Sequence, residues 1–186
     1  MPLIEQAVRG HTRPVRVIDI GSGNGAFGGH LMARGFRVIA IDSSVSAVEQ
    51  ARRTHAEVDS FLGSVYEDLS SRHGTFPIVT CLEVLEHCFF PRRVAKCLFS
   101  LLDPGGTALI STPYHGYWKN LALAVSGRLD AHFTALWDYG HIKFWSAATI
   151  TALLQEAGFV RIAVKRVGRI APLAKSMIVI ARRPQD

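Results

Sequence analysis

The sequence predicts an α/β fold: a mostly parallel seven-stranded sheet with helices on both faces and an antiparallel strand at its C-terminal end. Three observations predict it. Short runs rich in β-branched residues alternate with helical patterns from Val15 to Ser111. The first run ends directly in a glycine cluster, as a buried parallel strand does where it turns into a helix. The last two apolar runs are joined by a linker with no helical pattern, and strands joined without a crossover helix pair antiparallel.

The elements follow in order. Val15–Ile20 is the first strand, and Ala26–Arg34 the first helix, closed by Gly35. Phe36–Ile41 is a strand, and Ser44–Arg53 a helix with Ser44 as its cap. Val58–Leu62 and Ile78–Leu82 are the third and fourth strands. Pro91–Leu102 is helical, with Pro91 suited to the first turn and Asp103-Pro104-Gly105-Gly106 stopping it. Thr107–Ser111 is the fifth strand. Thr112–Trp145 breaks the alternation: it is long, aromatic and rich in histidine, and reads as an insertion over the site. Ser146–Ala157 resumes as a helix ended by Gly158, and Phe159–Val167 and Ser176–Ala181 are the final strands.

Size and composition set the outer limits. A chain of 186 residues, 48% hydrophobic and 19% charged, suits one domain spanning 1–186 with a sizeable core, and argues against disorder. No apolar run approaches the ~20 residues that span a bilayer. The N-terminal MPLIEQAVRG lacks the order of a signal peptide, so the expected location is cytoplasmic. Cys81, Cys88 and Cys97 are odd in number and lack CxxC spacing, and read as reduced, partly buried thiols. The net charge of +6 gathers late in the chain, at Arg161, Lys165, Arg166, Arg169, Lys175, Arg182 and Arg183. Such a face attracts anionic surfaces; the preferred reading is a solvated, charge-protected sheet edge.

Ligands of doubly wound sheets bind beyond the carboxyl ends of the strands. That directs attention to Asp19–Gly25, Asp42, Gly63–Tyr66, Glu83–His87 and Ser111–His115. In Val17-Ile18-Asp19-Ile20-Gly21-Ser22-Gly23-Asn24-Gly25 the alternate glycines let the backbone turn sharply and approach a ligand. Asp42, at the end of the next strand, is placed to accept hydrogen bonds from ribose hydroxyls. Gly23-Asn24-Gly25-Ala26-Phe27-Gly28 alone also matches the dinucleotide pattern, which makes an NAD(P)-dependent oxidoreductase the rival reading. Against it stand Asp19, an awkward charge beside a pyrophosphate but a good partner for an ammonium, the earlier pair Gly21 and Gly23 at the strand end, and the lack of room for a separate substrate domain.

VIDIGSGNG, the acidic end of FRVIAIDSS, TCLEVLEH at the fourth strand and LLDPGGTALISTP at the fifth together resemble the motifs of class I S-adenosylmethionine-dependent methyltransferases, which have a Rossmann-like fold. The resemblance runs from about Val15 to the C-terminus. EVLEH and GHIKFWSAATITALLQEAGF are similar to the ubiquinone-pathway O-methyltransferase group and its relatives. The resemblance implies S-adenosylmethionine as cofactor. Asp19 and the loop Gly21, Ser22, Gly23, Asn24 and Gly25 would hold its methionine end, and Asp42 its ribose, with Ser43 beside the adenine. Ser64 and Val65 would flank the adenine edge, although many relatives carry Asp where Ser64 stands. Leu82 and Glu83 would lie near the amino group and sulfonium. The 14 residues before Val15 leave little chain for the N-terminal helix that often covers the cofactor in this family.

On the acceptor side the resemblance implies a small-molecule methyl acceptor. A hydroxyl acceptor must lose a proton, for which His87 and His141 are the candidate bases, ahead of Tyr114, His115 and His132. Glu83, Glu86 and His87 would form a metal cluster if a helical turn brought positions 83 and 87 to one face; no metal is assigned. The apolar, aromatic segment Tyr117–Val125 either packs on the domain or serves as a lid or interfacial helix for a hydrophobic acceptor, with peripheral membrane contact. Nucleic acid is not the expected substrate, since Leu82-Glu83-Val84-Leu85 stands where base amino-methyltransferases carry an Asn/Asp-Pro-Pro-aromatic motif. O-methylation is the leading reading; N-methylation of a small molecule or protein, or cofactor binding without catalysis, are the alternatives. Oligomeric state is left open.

Overall fold

The computed structural model describes residues 14–185; the readings made on the N-terminal segment lie outside the described residues. Strands β1 (Arg16–Ile20), β2 (Arg37–Asp42), β3 (Asp59–Leu62), β4 (Phe76–Leu82), β5 (Leu102–Pro113), β6 (Val160–Val167) and β7 (Ser176–Arg182) form one sheet in the order β3-β2-β1-β4-β5-β7-β6. β1 to β5 pair in parallel, and β7 runs antiparallel between β5 and β6. This is the predicted class. The order reverses between β1 and β4, so the crevice at their carboxyl ends is the switch point where ligands bind.

The sheet is buried on both faces because its strands alternate two sets of apolar side chains. Val17, Val38, Ile78 and Leu109 face one core with Leu31 of α1 (Ala26–Met32). Ile18, Ile20, Phe76 and Val79 face the other, with Leu98 of α4 (Pro91–Ser100) and Leu154 of α7 (Ala147–Glu156). Helix α2 (Val45–Thr54) starts at Ser44, whose hydroxyl accepts from the Ala47 N–H at 3.3 Å. α7 starts with a reciprocal pairing of Ser146 and Thr149. All three cysteines are free and buried, and burial raises the pKa of each thiol.

The sequence reading needs correction at three places. A short helix, α3 (Leu69–His73), lies between β3 and β4. Its five residues are too few to show a period, but Asp68 caps it by accepting from the Ser71 N–H at 3.1 Å. β5 begins at Leu102 rather than Thr107, and the ladder jumps from Phe76–Leu102 to Ile78–Thr107. Asp103-Pro104-Gly105-Gly106 therefore bulges inside a strand, and α4 ends before it. Finally, Thr112 and Pro113 complete β5, and Tyr114 pairs with Trp145, so the insertion proper spans 115–144. It contains α5 (Tyr117–Val125) and α6 (Leu129–Phe133), neither with a fully buried residue.

Candidate functional site

β1 delivers the chain into a loop held by its own backbone. The Gly21 and Ser22 N–H groups donate to the Ile41 carbonyl at 2.8 and 3.1 Å. Gly21 has φ +70°, and a Cβ there would lie 2.3 Å from Val84 Cγ2, so only glycine fits. Asp42 clamps the loop: one carboxylate oxygen accepts from the Gly23 N–H at 2.7 Å, the other from the Ser44 N–H at 2.8 Å. Each oxygen retains a second lone pair for a ligand hydroxyl.

A cavity of about 350 Å³ opens at this crevice. Gly21, Asp42, Ser43, Ser64, Val65 and Glu83 line it, all six expected from the sequence. Asp19, Ser22, Gly23, Asn24, Gly25 and Leu82 do not line it. The Asn24 side chain accepts from the Ala26 N–H at 3.2 Å just ahead of α1, whose N-cap is Gly25 at φ +78°. Tyr66, Val84 and Phe89 also line the cavity. Of these, Val84 had no signal beyond its place after β4, because its role is to cover a glycine distant in sequence.

Asp19 lies beneath the loop, 3% exposed, accepting from the Thr80 hydroxyl at 2.6 Å on the neighbouring strand. Burial raises its pKa to about 7, against the Thr80 hydrogen bond and reinforced by the Asp42 charge. Glu83 has φ 55°, strained for a non-glycine residue. Its N–H donates to the Ser111 carbonyl at 3.0 Å, and its carboxylate accepts from the Ser111 hydroxyl at 2.7 Å.

His87 joins this cavity to a second, of about 800 Å³, which Phe89, Phe133, Trp137, Tyr139 and His141 also line. His87 Nδ1 lies 3.0 Å from the Tyr139 carbonyl oxygen. A carbonyl only accepts, so Nδ1 carries the proton and neutral His87 keeps a lone pair on Nε2. The His141 ring stands edge-on to His87, with centroids 4.9 Å apart. Burial lowers the pKa of His141, and protonation of the neighbouring His87 would lower it further. Both candidate bases thus meet at one place.

Of the suggested metal set, Glu86 and His87 come together, but the third member is His141 rather than Glu83; their ligand atoms lie within 4.8 Å of one another. Residues 85–87 form a single tight 3₁₀ turn, which does not bring positions 83 and 87 to one face as an α-helical turn would. Glu86 is 1% exposed, neither carboxylate oxygen has a hydrogen-bond partner among the described residues, and burial raises its pKa to about 7. Its carbonyl accepts from the Ile142 and Lys143 N–H groups, tying the insertion's return to the site. Tyr114 packs in the core instead, and His115 and His132 line a third cavity, of about 460 Å³.

A parallel sheet with a single reversed strand beside β5, and a glycine loop clamped by an acidic residue on β2, define the class I methyltransferase fold. A family model described as a methyltransferase domain matches residues 2–164, and the chain belongs to that family. Membership decides between the two readings of Gly23–Gly28: Gly28 lies in α1, where a Cβ would sit 3.1 Å from Val58, and serves packing. The ubiquinone biosynthesis O-methyltransferase of Xanthomonas euvesicatoria pv. vesicatoria is 36% identical over 148 residues, which are 77% of this chain and 62% of that protein. The enzyme of the same name from Psychrobacter arcticus is 29% identical over 153 residues, 78% of this chain and 59% of that protein. The chain spans 42% to 63% of the length of such curated relatives. Among solved structures, magnesium protoporphyrin IX methyltransferase from Synechocystis with bound SAH is similar at TM-score 0.73 and 20% identity, over 98% of this chain and 80% of that one. A SAM-dependent methyltransferase from Methanosarcina mazei matches at TM-score 0.73 and 18% identity, over 100% of this chain and 99% of that one.

Proposed function

We propose that this chain transfers a methyl group from S-adenosylmethionine to a hydroxyl of a hydrophobic small molecule. The observation that carries the reading is His87, which lines both the glycine-loop cavity and the aromatic cavity and holds its free lone pair on Nε2. The names of the relatives support O-methylation rather than N-methylation.

The cofactor-side residues fit the group. Asp42 offers two half-used carboxylate oxygens to ribose hydroxyls, the Gly21 turn leaves no Cβ in the way, and Ser43, Ser64 and Val65 form a small-residue wall for an adenine. Glu83 faces the methionine end, held by Ser111, while Asp19 and Gly23–Gly25 hold the loop from beneath and behind. The cofactor, when bound, supplies a methyl group already activated by a sulfonium. The protein's work is then to align the acceptor and take its proton. Phe133, Trp137 and Tyr139 wall the acceptor, and Tyr139 fixes the His87 tautomer through its carbonyl. Such positioning supplies ~7–11 kcal/mol in favourable cases.

A second reading concerns the same corner. The buried, unpartnered carboxylate of Glu86 beside His87 and His141 would suit a divalent cation that acidifies the acceptor hydroxyl. Activity that survives exhaustive chelation would reject it.

The outer face of α5 supports peripheral contact with a membrane carrying the acceptor. Tyr117, Trp118, Leu121 and Val125 are exposed along it. Among the described residues no helix is long and apolar enough to cross a membrane.

The test is thermal-shift and calorimetric titration with S-adenosylhomocysteine and with NAD(H). S-adenosylhomocysteine should bind and NAD(H) should not. Asp42→Ala should weaken the former by ~1–3 kcal/mol, the size of a charged hydrogen bond removed. Unchanged affinity would misplace the ribose, and dinucleotide binding alone would sink the whole reading.

A further inference from the structure

The third cavity lies between α5, α6 and the 168–175 linker, and its charge is one-sided. Lys119, Arg128, Arg169 and Lys175 line it from three separate segments, and no lining residue is acidic. None of the four cations makes an ion pair among the described residues. Like charges converging on one concave wall without a counter-charge repel each other, and a cavity focuses their field. Two of these residues, Arg169 and Lys175, belong to the basic C-terminal group that the sequence reading placed on a solvated sheet edge.

A second feature at the same place points to a ligand. His115 lines the cavity at 7% exposure, and its Nδ1 has no hydrogen-bond partner; His132, beside it with ring centroids 5.4 Å apart, has an unpartnered Nε2. Burial and the Lys119 cation push the His115 pKa down to about 4. Buried polar atoms without partners are rare in folded proteins and mark places where something else binds.

The cavity also connects to the reaction site. Phe133 and His141 line both it and the aromatic cavity, which reaches His87. The rest of its wall is mostly apolar, from Leu123, Phe144 and Leu173 among others, with the two serines Ser126 and Ser176.

We infer that the methyl acceptor carries an oxyanion, a phosphate or carboxylate, seated among Lys119, Arg128, Arg169 and Lys175, while its hydroxyl end lies at His87 and His141. The inference rests on the methyl-transfer reading and adds the substrate class: an amphiphilic acid rather than a neutral phenol or alcohol.

The experiment uses the full chain and simple probes. Phenyl phosphate, benzoate and phenol are titrated by calorimetry into the wild type and an Arg128→Ser/Arg169→Ser variant. Neither arginine side chain makes a hydrogen bond among the described residues, so the variant should fold, and its S-adenosylhomocysteine affinity provides the check. Phenyl phosphate or benzoate should bind the wild type at least tenfold more tightly than phenol, and the variant should lose that advantage. Lys119→Met, which removes the half-buried cation and with it the 2.7 Å hydrogen bond from its Nζ to the Tyr114 carbonyl, should reduce it separately, with S-adenosylhomocysteine affinity again as the check on the fold. Anions that bind no better than phenol, or equally well to the double variant, overturn the proposal. So does anion dependence seen only with phosphatidylglycerol vesicles and lost in the variant, which would assign the arginines to lipid headgroups. If the anions bind as expected but S-adenosylhomocysteine does not bind the wild type, the anion site stands, and what fails is its assignment to a methyl acceptor.

Discussion

The two sides of the cleft are built by different means. The side proposed for the cofactor is largely backbone: strand ends, a glycine loop and one clamping carboxylate, all resting on a buried sheet. The acceptor side is side chains carried on short exposed helices, with none of α5 or α6 fully buried. Its anchors among the described residues include the Tyr114–Trp145 bridge, the Lys119 Nζ hydrogen bond to the Tyr114 carbonyl, the Glu86 carbonyl taking two N–H groups, and the His87–Tyr139 hydrogen bond. A rigid half can hold an invariant cofactor, and a lightly tethered half can be remodelled for different acceptors without disturbing the sheet.

The largest expected effect separates the two halves directly. His87→Ala should lower turnover ~10²–10⁴-fold, the usual size of a general-base contribution. S-adenosylhomocysteine affinity should fall far less than turnover, because His87, although it lines both cavities, is proposed to act on the acceptor's proton. His87→Asn sharpens the comparison, because its amide can still donate to the Tyr139 carbonyl but has no basic nitrogen. If Asn restores turnover, His87 positions the insertion and the proton goes elsewhere. His141→Ala, tested in parallel, ranks the two rings.

The same contrast explains what was legible in the sequence. Gly21 and Asp42 could be placed at the crevice because they stand at the ends of β1 and β2, and φ +70° at Gly21 beneath Val84 admits only glycine; Ser22–Gly25, expected with them, do not line the cavity. The antiparallel end followed from a linker without a crossover helix. The acceptor side obeys no such local rule. His87 and His141 stand out as histidines, but their meeting depends on the chain returning at Tyr139, 52 positions after His87. The replacement of Glu83 by His141 in the carboxylate–histidine cluster has the same origin. Arg169 and Lys175 were legible as charge but not as cavity lining, since α5 and the 168–175 linker meet only in three dimensions. One pattern was available: Lys119, Ala122, Leu123 and Ser126 recur at helical spacing, and all four line the cavity.

An intermediate effect probes the strain stored on the cofactor side. Asp19 is protonated in the fold up to about pH 7, whereas unfolded it ionises near 3.8. The native state therefore binds the extra proton, and the stability this gives is complete below about pH 4 and lost as the pH rises to about 7. Asp19→Asn removes that dependence. Urea unfolding at pH 5, 6 and 7 should show the variant gaining on the wild type by about 2 kcal/mol across the window, at up to ~1.4 kcal/mol per unit. His115, lowered to about 4, shifts stability the other way between pH 4 and 6.5. It does so in both proteins and cancels in the difference. A difference that stays flat would show that Asp19 is ionised in the fold, held by something other than Thr80.

The smallest effect on stability is the sharpest test of what the acceptor side faces. α5 presents Lys119, Ala122, Leu123 and Ser126 to the cavity, while Tyr117, Trp118, Leu121 and Val125 are exposed at 74%, 63%, 41% and 82%. Val125, the most exposed, buries little on folding, so Val125→Gln should move stability by less than ~0.5 kcal/mol, while Trp118→Gln and the half-buried Leu121→Gln should cost no more than about 1 kcal/mol each. The same residues packed into a core would cost several kcal/mol each. If the face lies on a membrane, the triple variant should lose co-sedimentation with phospholipid vesicles, keep its S-adenosylhomocysteine affinity, and keep its turnover on a water-soluble acceptor. Its turnover should fall only when the acceptor is presented in a bilayer. Unfolding at much lower urea would instead place the face against protein, and unaltered vesicle binding would remove α5 from the membrane contact altogether.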